Sequence, residues 1–308
     1  ESKLSLKALP IIVLKTISTV LLADQRSAYA AILSTAGQII SLITIYLLTL
    51  TTEGSLTYLA WALGIGPLTV LLLSSLWFYS SSYKKYAPSL SFFDFKYAKD
   101  IMSLGIKFFL IQIAFIIVYQ TTNIIITQVS GPEDVTVYNI AFKYFSISTM
   151  IFAIIMSPFW SAYTDAMSNN DYVWMKSSYK KLLLIVFFFA ILTILMLLIS
   201  EFVYNFWLNG IVKIRFSTSV VVAIFVIINL WNSLFSQLLN GIGKIKVQLY
   251  VSIIGTVLNI PLAIFLGNLI GIEGVVISSI LLSLISAIYA PYQLSLILNK
   301  KAKGIWND

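Results

Sequence analysis

The feature that most constrains this chain is a succession of long apolar runs. About nine such runs follow one another along the sequence, and a run of roughly 18 to 25 residues is long enough to cross a bilayer as an α-helix. They lie at residues 4–22, 28–50, 55–79, 104–129, 136–163, 182–200, 217–239, 248–270 and 275–298. A membrane β-barrel strand would alternate apolar and polar residues instead. The runs therefore predict an all-α, polytopic transmembrane helix bundle of about nine spans.

Composition supports a lipid environment. Hydrophobic residues make up 59% of the chain and charged residues 10%, whereas soluble domains are about half apolar and a quarter charged. This balance excludes a soluble enzyme, a nucleic-acid-binding domain and a disordered chain. The chain also has no Cys and no His, which excludes disulfides, Cys or His metal sites and Ser–His or thiol catalysis. We expect no catalytic residue, no metal site and no cofactor.

Positive charge predicts the orientation of the spans. The loops after the first, third, fifth and seventh spans and the C-terminal tail hold thirteen Lys and Arg residues, and the opposite loops hold two, Lys213 and Arg215. Basic loops stay on the cytoplasmic side, so we expect a cytoplasmic C-terminus, an external Glu1 and a multi-pass protein of the bacterial cytoplasmic (inner) membrane. The net charge of +8 is then mostly a topology signal, and nucleic acid is not an expected partner.

The connections predict the domain organisation. The longest, residues 80–103, mixes aromatic residues with lysines, a pattern typical of a segment lying along a membrane surface. We predict residues 1–79 as the remainder of an N-terminal lobe of about three spans. Residues 80–103 are then a cytoplasmic amphipathic inter-lobe linker, and residues 104–308 a C-terminal six-helix lobe with a cytoplasmic tail.

A weak internal repeat supports two lobes. A shift of 218 residues aligns the second span with the eighth and superposes Arg26 on Lys244, Ser34 on Ser252, Gly37 on Gly255 and Ser41 on Asn259. Repeated bundles are common in transporters. If the lobes are equal, three further spans would precede Glu1. We therefore interpret the chain as an N-terminally truncated part of a twelve-span protein.

Four motifs are spread along the whole chain. They are Ala23-Asp24-Gln25-Arg26; Ile124-Ile125-Ile126 through Gly131 to Val137-Tyr138 and Lys143; Pro158-Phe159-Trp160-Ser161-Ala162-Tyr163-Thr164-Asp165-Ala166 with Trp174; and Leu239-Asn240-Gly241 through Leu258-Asn259-Ile260-Pro261 to Gly271 and Gly274. In their order and spacing they resemble a known family, the polysaccharide flippases (Wzx-type O-antigen translocases) of the MOP superfamily of MATE-like exporters. One departure is Asn123, near a place where such transporters often carry an acidic residue.

The resemblance implies a MATE-like two-lobe architecture with the N-terminal lobe incomplete. It also implies flipping of an undecaprenyl-pyrophosphate-linked sugar or oligosaccharide, such as an O-antigen, capsule or exopolysaccharide repeat unit, by alternating access. Its partners would be this lipid-linked glycan, membrane lipids and other polysaccharide-assembly proteins. The alternatives are a membrane-embedded polysaccharide polymerase or ligase, and a MATE-type small-molecule exporter.

Polar residues form stripes within three spans. At 100° per residue, Gln112, Tyr119, Asn123 and Thr127 share a face of the fourth span. The fifth span carries Asn139, Lys143, Ser146, Ser157 and Ser161 on one face, and the seventh carries Asn229, Asn232, Ser233, Ser236 and Asn240. Such stripes line a hydrated cavity or pack helices through interhelical hydrogen bonds. We take Gln112, Tyr119, Asn123 and Asn139 as candidate substrate-binding residues.

Lys143 is the most specific candidate for a substrate-binding residue. It lies about 15 Å along its helix from the acidic outer loop, too deep for its ammonium to snorkel to the surface. It either meets the anionic part of a translocated substrate or forms a salt bridge elsewhere. Lys15 is a second candidate, which either lines the same cavity from the opposite lobe or belongs to an amphipathic first helix.

Carboxylates within the spans would be natural sites for coupling to a proton or sodium gradient. The nearest ones are Asp165, at the inner end of the fifth span, and Asp24, just past the first. Each is either an ion-coupling residue or a helix-capping or loop residue.

Overall fold

The computed structural model describes residues 14–52, 54–89 and 95–307, with the backbone alone for residues 95–101. Ten α-helices occupy these ranges. They are α1 (Thr16–Ala23), α2 (Ser27–Thr51), α3 (Leu56–Ser80), α4 (Phe95–Ser130), α5 (Pro132–Ser168), α6 (Tyr172–Leu198), α7 (Ser200–Leu208), α8 (Phe216–Ile242), α9 (Lys246–Ile270) and α10 (Ile272–Leu298). Short 3₁₀ helices lie at Lys84–Tyr86 and Gly304–Asn307.

Eight of these helices are long and apolar enough to cross a membrane, namely all except α1 and α7. They correspond to the second to ninth predicted spans. Most of the first predicted span, residues 4–22, lies outside the described residues, and its described part holds the short helix α1. The all-α, multi-span fold class is confirmed.

Some helices begin earlier than the apolar runs predict. Helix α6 starts at Tyr172 instead of near residue 182, because the Asp171 side chain accepts a hydrogen bond from the Trp174 backbone N–H at 2.9 Å and caps the helix. Helix α4 starts at Phe95, so its first turns occupy part of the predicted linker. A helix can continue into the headgroup region, where its side chains become polar, so an apolar run marks only the part within the hydrocarbon.

The chain divides into two compact units, Glu1–Phe95 and Lys96–Asp308. The division falls within residues 80–103, the predicted linker. Residues 90–94 lie outside the described part of the chain, and the placement of the linker along the membrane surface stays a prediction.

Unit 1 contains α1, α2 and α3. Its small core is formed by Ile17 and Leu21 of α1, Leu71 of α3, and Tyr83. Helices α2 and α3 pack closely at a pair of glycines, since a Cβ added at Gly66 would lie 2.4 Å from the Gly37 carbonyl oxygen.

Unit 2 contains α4 to α10. Its core fills the space between α5, α6, α8 and α10, and its largest fully buried side chains include Tyr163, Phe145, Phe152 and Phe235. Large apolar side chains such as Leu184, Phe188 and Ile288 remain exposed. An apolar exterior around a packed interior is what a helix bundle surrounded by lipid requires.

Two of the hairpins in unit 2 have single-residue connections. Gly131 joins α4 to α5 with φ 98° and ψ 167°, and Gly271 joins α9 to α10 with φ 68° and ψ −141°. Backbone angles of this kind are accessible essentially to glycine alone. The connection at Gly271 brings α9 and α10 into extensive contact. The connection at Gly131 brings together the adjoining parts of α4 and α5.

Residues 201–216, between the sixth and seventh predicted spans, are partly helical, because α7 follows α6 after the single residue Ile199. The Tyr204 ring of α7 packs edge-to-face against Tyr144 of α5, with ring centroids 5.3 Å apart. Burial raises the pKa of Tyr204 to about 12. Helix α7 thus closes one end of the unit 2 core.

Candidate functional site

Two of the motifs that carry the family resemblance pack against each other in unit 2. The Thr164 hydroxyl of α5 donates a hydrogen bond to the Gly241 carbonyl of α8 at 2.7 Å. A Cβ added at Gly241 would lie 2.6 Å from the Trp160 carbonyl oxygen, so glycine permits this close approach. Tyr163 is fully buried, and its hydroxyl donates to the Met175 carbonyl of α6 at 2.8 Å. These motifs hold α5, α6 and α8 together.

The candidate substrate residues of α4 and α5 lie along the hairpin that turns at Gly131. Pro132 occupies the first position of α5, and Glu133 and Asp134 lie in its first turn. The expected acidic loop is therefore part of the helix, where carboxylates interact favourably with the positive end of the helix dipole.

Asn123 and Asn139 join α4 to α5 directly. The Asn139 side-chain amide donates to Asn123 Oδ1 at 3.1 Å and to the Val135 carbonyl at 2.9 Å. Both residues are half-buried. Among the described residues, Asn139 Oδ1 and the Asn123 amide nitrogen have no partner, so the pair can still accept and donate further hydrogen bonds.

Lys143 lies one helical turn beyond Asn139, on the same face of α5. It is eleven residues past Pro132, or about 16 Å into a helix of 37 residues. Its side chain is exposed. The ion pair found among the described residues is Arg26–Asp24, so none of the described carboxylates neutralises Lys143. An ammonium at this depth requires water, an anion or other polar groups around it.

An aromatic cluster lies beside these polar groups. The Phe142 ring is 5.8 Å from the Tyr119 ring of α4, stacks on Tyr138 at 5.8 Å, and lies 6.3 Å from Phe225 of α8. Tyr119 and Phe142 are half-buried. We call Tyr119, Asn123, Asn139, Phe142 and Lys143 the α4–α5 site.

Phe142 was not predicted as a site residue from the sequence. A Phe inside an apolar run does not differ from its neighbours in composition. Its position directly before Lys143, and three residues after Asn139, is the signal that could have identified it.

Among the described residues, the remaining candidates Gln112 and Lys15 form no hydrogen bond or ion pair with this site. Gln112 is exposed on α4, about 10 Å along the helix from Tyr119. Lys15 is exposed and immediately precedes α1 in unit 1. Their roles as substrate-binding residues stay predictions.

Asp24 and Asp165 make local contacts. Asp24 Oδ2 accepts hydrogen bonds from the Tyr83 hydroxyl at 2.5 Å and pairs with Arg26 Nε at 3.0 Å. The hydrogen bond to Asp24 raises the pKa of Tyr83 above its usual value. Asp165 is exposed near the end of α5, where its carboxylate accepts from the Asn169 amide at 3.2 Å. These contacts favour the capping and loop alternatives, and ion coupling by either residue stays a prediction.

The polar stripe on α8 serves partly to pack helices. The Asn232 amide donates to the Ser283 carbonyl of α10 at 2.9 Å, and the Trp231 indole N–H donates to the Ala287 carbonyl at 3.1 Å. Interhelical bonds of this kind are a normal way to associate helices in lipid.

A cavity of about 460 Å³ lies elsewhere, at the turn between α2 and α3 in unit 1. Its wall is mostly apolar, with Thr49, Thr52, Ser55 and Tyr58 as its polar residues. None of the candidate substrate residues lines it, and none of its described lining residues is charged. It therefore offers little to hold an anionic ligand.

Comparison with known proteins assigns the chain to a family. The MatE family model matches residues 108–265, just over half of the chain. No curated protein matches the sequence.

Solved structures share the fold. A crystal structure of a MATE mutant is similar with a TM-score of 0.78 and 18% identity, over 94% of this chain and 67% of that one. The outward-facing conformation of a multidrug resistance MATE family transporter of the MOP superfamily gives a TM-score of 0.74 and 17% identity, over 92% and 66%. MATE in the bent conformation gives 0.75 and 16%, over 95% and 68%. The chain thus spans about two thirds of the length of these proteins.

These identities show the fold alone, whereas the family match rests on the sequence itself. The match includes α4 from residue 108 onward, all of α5 and most of α9, and so contains the whole α4–α5 site. Membership favours transport over the alternative of a membrane-embedded enzyme. The chain therefore belongs to the MatE family of membrane transporters.

Proposed function

We propose that this protein moves a lipid-linked, anionic glycan across the membrane, with an undecaprenyl-pyrophosphate-linked sugar or oligosaccharide as the substrate. The observation that carries the proposal is Lys143, which is exposed deep within α5 and has no carboxylate partner among the described residues. An ammonium at this depth would repel a cationic substrate, whereas it would attract the pyrophosphate of a lipid-linked glycan.

The α4–α5 site matches the three chemical parts of such a substrate. The Lys143 ammonium would pair with a phosphate oxygen through a charge-assisted hydrogen bond. Asn123 and Asn139 have one free acceptor and one free donor, which suit sugar hydroxyl groups. The exposed parts of Tyr119 and Phe142 would pack against the apolar face of a sugar ring.

Transport would follow from alternating access between two lobes. A polyanionic headgroup cannot enter hydrocarbon unpaired, because the transfer of an isolated charge out of water costs far more than its hydrogen bonds recover. A fixed ammonium near the middle of the translocation path lowers the free-energy cost of moving the headgroup in every conformation that exposes the ammonium. Lys143 would thus act on the translocation step itself.

A small-molecule exporter is the second candidate function. One similar structure is described as a multidrug resistance MATE family transporter, and this chain has the same fold. The positive charge at Lys143 opposes a cationic substrate at this site, so the exporter candidate requires a neutral or anionic compound.

The test uses the complete gene in its own host, with Lys143→Ala and Lys143→Arg variants. We expect Lys143→Ala to abolish most of the surface polysaccharide and to trap the lipid-linked precursor on the cytoplasmic side, while Lys143→Arg keeps substantial transport. Lys107→Ala is the matched control, because Lys107 is a half-buried lysine on the neighbouring helix α4. Membrane levels of each variant are measured in parallel.

Three outcomes would overturn the proposal. Normal surface polysaccharide in Lys143→Ala, at normal protein level, would remove Lys143 from the translocation path. Loss of dye or drug efflux in that variant, with polysaccharide unchanged, would establish the exporter instead. Polysaccharide that reaches the outer surface as single, unpolymerised units would indicate the polymerase alternative.

A further inference from the structure

A group of lysines lies at one end of unit 2, where α6 begins and α10 ends. Lys176 and Lys180 lie one turn apart on α6, and Lys300 and Lys301 follow Asn299, the C-cap residue of α10. All four side chains are exposed. We call these four residues the lysine patch.

Neutral groups hold two of these lysines in place. Lys176 Nζ donates to the Asn299 side-chain oxygen at 3.0 Å. Lys300 Nζ lies 4.5 Å from the centre of the Tyr172 ring, a cation–π distance. An amide oxygen and an aromatic ring orient an ammonium without cancelling its charge, so the contacts link α6 to α10 and leave the patch positive.

One described carboxylate, that of Asp171, lies close in sequence to the patch and does not pair with it. Asp171, next to Tyr172, accepts the capping hydrogen bond from Trp174. The described residues contain no ion pair between a carboxylate and any lysine of the patch. The patch therefore carries a net positive charge.

The patch extends from the level of the lipid headgroups to just beyond their outer edge. The apolar part of α6 starts at Leu182, two residues after Lys180, and Lys176 lies about 9 Å before it along the helix. The headgroup region extends roughly 5–8 Å beyond the hydrocarbon on each side of a bilayer. Trp306 packs edge-to-face on Tyr292 at 5.3 Å nearby on the same end of α10, and Trp and Tyr are enriched at this level of membranes.

From this arrangement we propose that the lysine patch is a binding site for the phosphate headgroups of anionic phospholipids, which bridge α6 and α10. The fixed, unneutralised ammonium groups supply the attraction. Binding is expected to be selective for net charge and to weaken as salt rises. Each lysine close to an anionic lipid surface contributes about a fivefold gain in binding.

The experiment measures retention of phosphatidylglycerol and of phosphatidylcholine by the purified full chain in a neutral detergent, by native mass spectrometry. We expect the wild-type chain to prefer phosphatidylglycerol. The Lys176→Gln/Lys300→Gln variant should lose about 20- to 30-fold in apparent affinity for phosphatidylglycerol, with no change for phosphatidylcholine. The Lys176→Arg/Lys300→Arg variant should retain the preference.

The matched control is Lys84→Gln/Lys85→Gln, which removes two exposed lysines from unit 1. A loss in the control as large as that in the patch variant would overturn the proposal in favour of a diffuse charge effect. Equal retention of both lipids by the wild-type chain, or unchanged retention in the glutamine variant, would also refute it. Because the arginine variant keeps both charges, its failure to bind would mean that the lysines act on folding.

Discussion

Replacing Gly274 by alanine should force apart the two helices of the α9–α10 hairpin. A Cβ at this position would lie 2.0 Å from the Leu266 carbonyl oxygen, 2.4 Å from the Leu266 carbonyl carbon and 2.9 Å from the Gly267 nitrogen. All three obstacles are backbone atoms, so no side-chain rotation can relieve the contact. The helices must separate by about 1.4 Å to bring the closest pair to the ordinary contact distance of 3.4 Å.

The magnitude follows from the balance of two effects. Overpacking of a close contact costs about 1–3 kcal/mol, and the upper end applies here because rigid backbone must move. Alanine recovers about 1 kcal/mol through its higher helix propensity. We expect a net loss of about 2 kcal/mol in the free energy of unfolding.

Gly255→Ala in α9 is the matched control, because nothing lies within 4 Å of the added Cβ. It should gain up to about 1 kcal/mol. The two variants therefore differ by about 3 kcal/mol, or roughly 6–9 °C in Tm at 2–3 °C per kcal/mol. Thermal unfolding of each purified variant in the same detergent measures the difference. The readout is the fraction of protein that stays monodisperse as the temperature rises. If the two variants melt together, close helix contact at Gly274 does not stabilise the hairpin and the reasoning is refuted.

Three further predictions concern single hydrogen bonds. Asn123→Ala and Asn139→Ala should each reduce transport of the substrate. A double-mutant cycle of the two should show a coupling of about 0.5–1.5 kcal/mol in thermal stability. Strictly additive losses of stability would contradict a direct hydrogen bond between the two side chains. Tyr83→Phe should remove about 1 kcal/mol of stability. Because the pKa of Tyr83 is raised in the folded state, the stabilisation by this hydrogen bond is complete below pH 10 and is lost as pH rises through the folded-state pKa. The unfolding curves of the wild-type chain and Tyr83→Phe should therefore converge in strong base. A difference in stability that stays constant with pH would refute the link to Asp24. Thr164→Val should lower Tm by about 2–4 °C because it breaks the bond from α5 to α8, and an unchanged Tm would show that this bond adds nothing.

The positions of the second to ninth predicted spans could be predicted from the sequence because lipid imposes a minimum apolar length. Helix ends could not. Residues 172–181 carry Lys176, Lys180 and Lys181, so their polarity suggested a loop, although a capped helix continues through them into the headgroup region. The apolar run defines the part of the helix within hydrocarbon, and capping defines its end.

The α4–α5 site could be predicted only in part. The helical period places Asn123 and Asn139 on faces of their own helices, but it does not say which neighbouring helix each face meets. The hydrogen bond between them depends on the register of the hairpin, which is set by Gly131. Phe142 was missed because its role depends on the Tyr119 ring across that same hairpin.

The proposed repeat shows a similar limit. Ser41 donates to the Leu63 carbonyl of the following helix at 3.5 Å, and the aligned Asn259 donates to Ser279 of its following helix at 3.2 Å. The aligned glycines differ, however, because Gly37 is in close contact with Pro67 and Gly255 is open. The repeat stays a prediction, since matching residues do not guarantee matching contacts.

The single-residue connection at Gly131 also bears on how the chain is inserted during synthesis. An isolated α5 would have to carry both Asn139 and Lys143 into lipid, and a lysine at the centre of a span costs about 2.5–3.5 kcal/mol during insertion. With one residue between the helices, α5 cannot leave the translocation channel far from α4. Asn139 thus enters the bilayer beside the Asn123 side chain that will accept its hydrogen bond. Helices α4 and α5 are therefore expected to enter the membrane together as a pair. An insertion of residues at the Gly131 connection should impair assembly, even though it leaves every spanning residue unchanged.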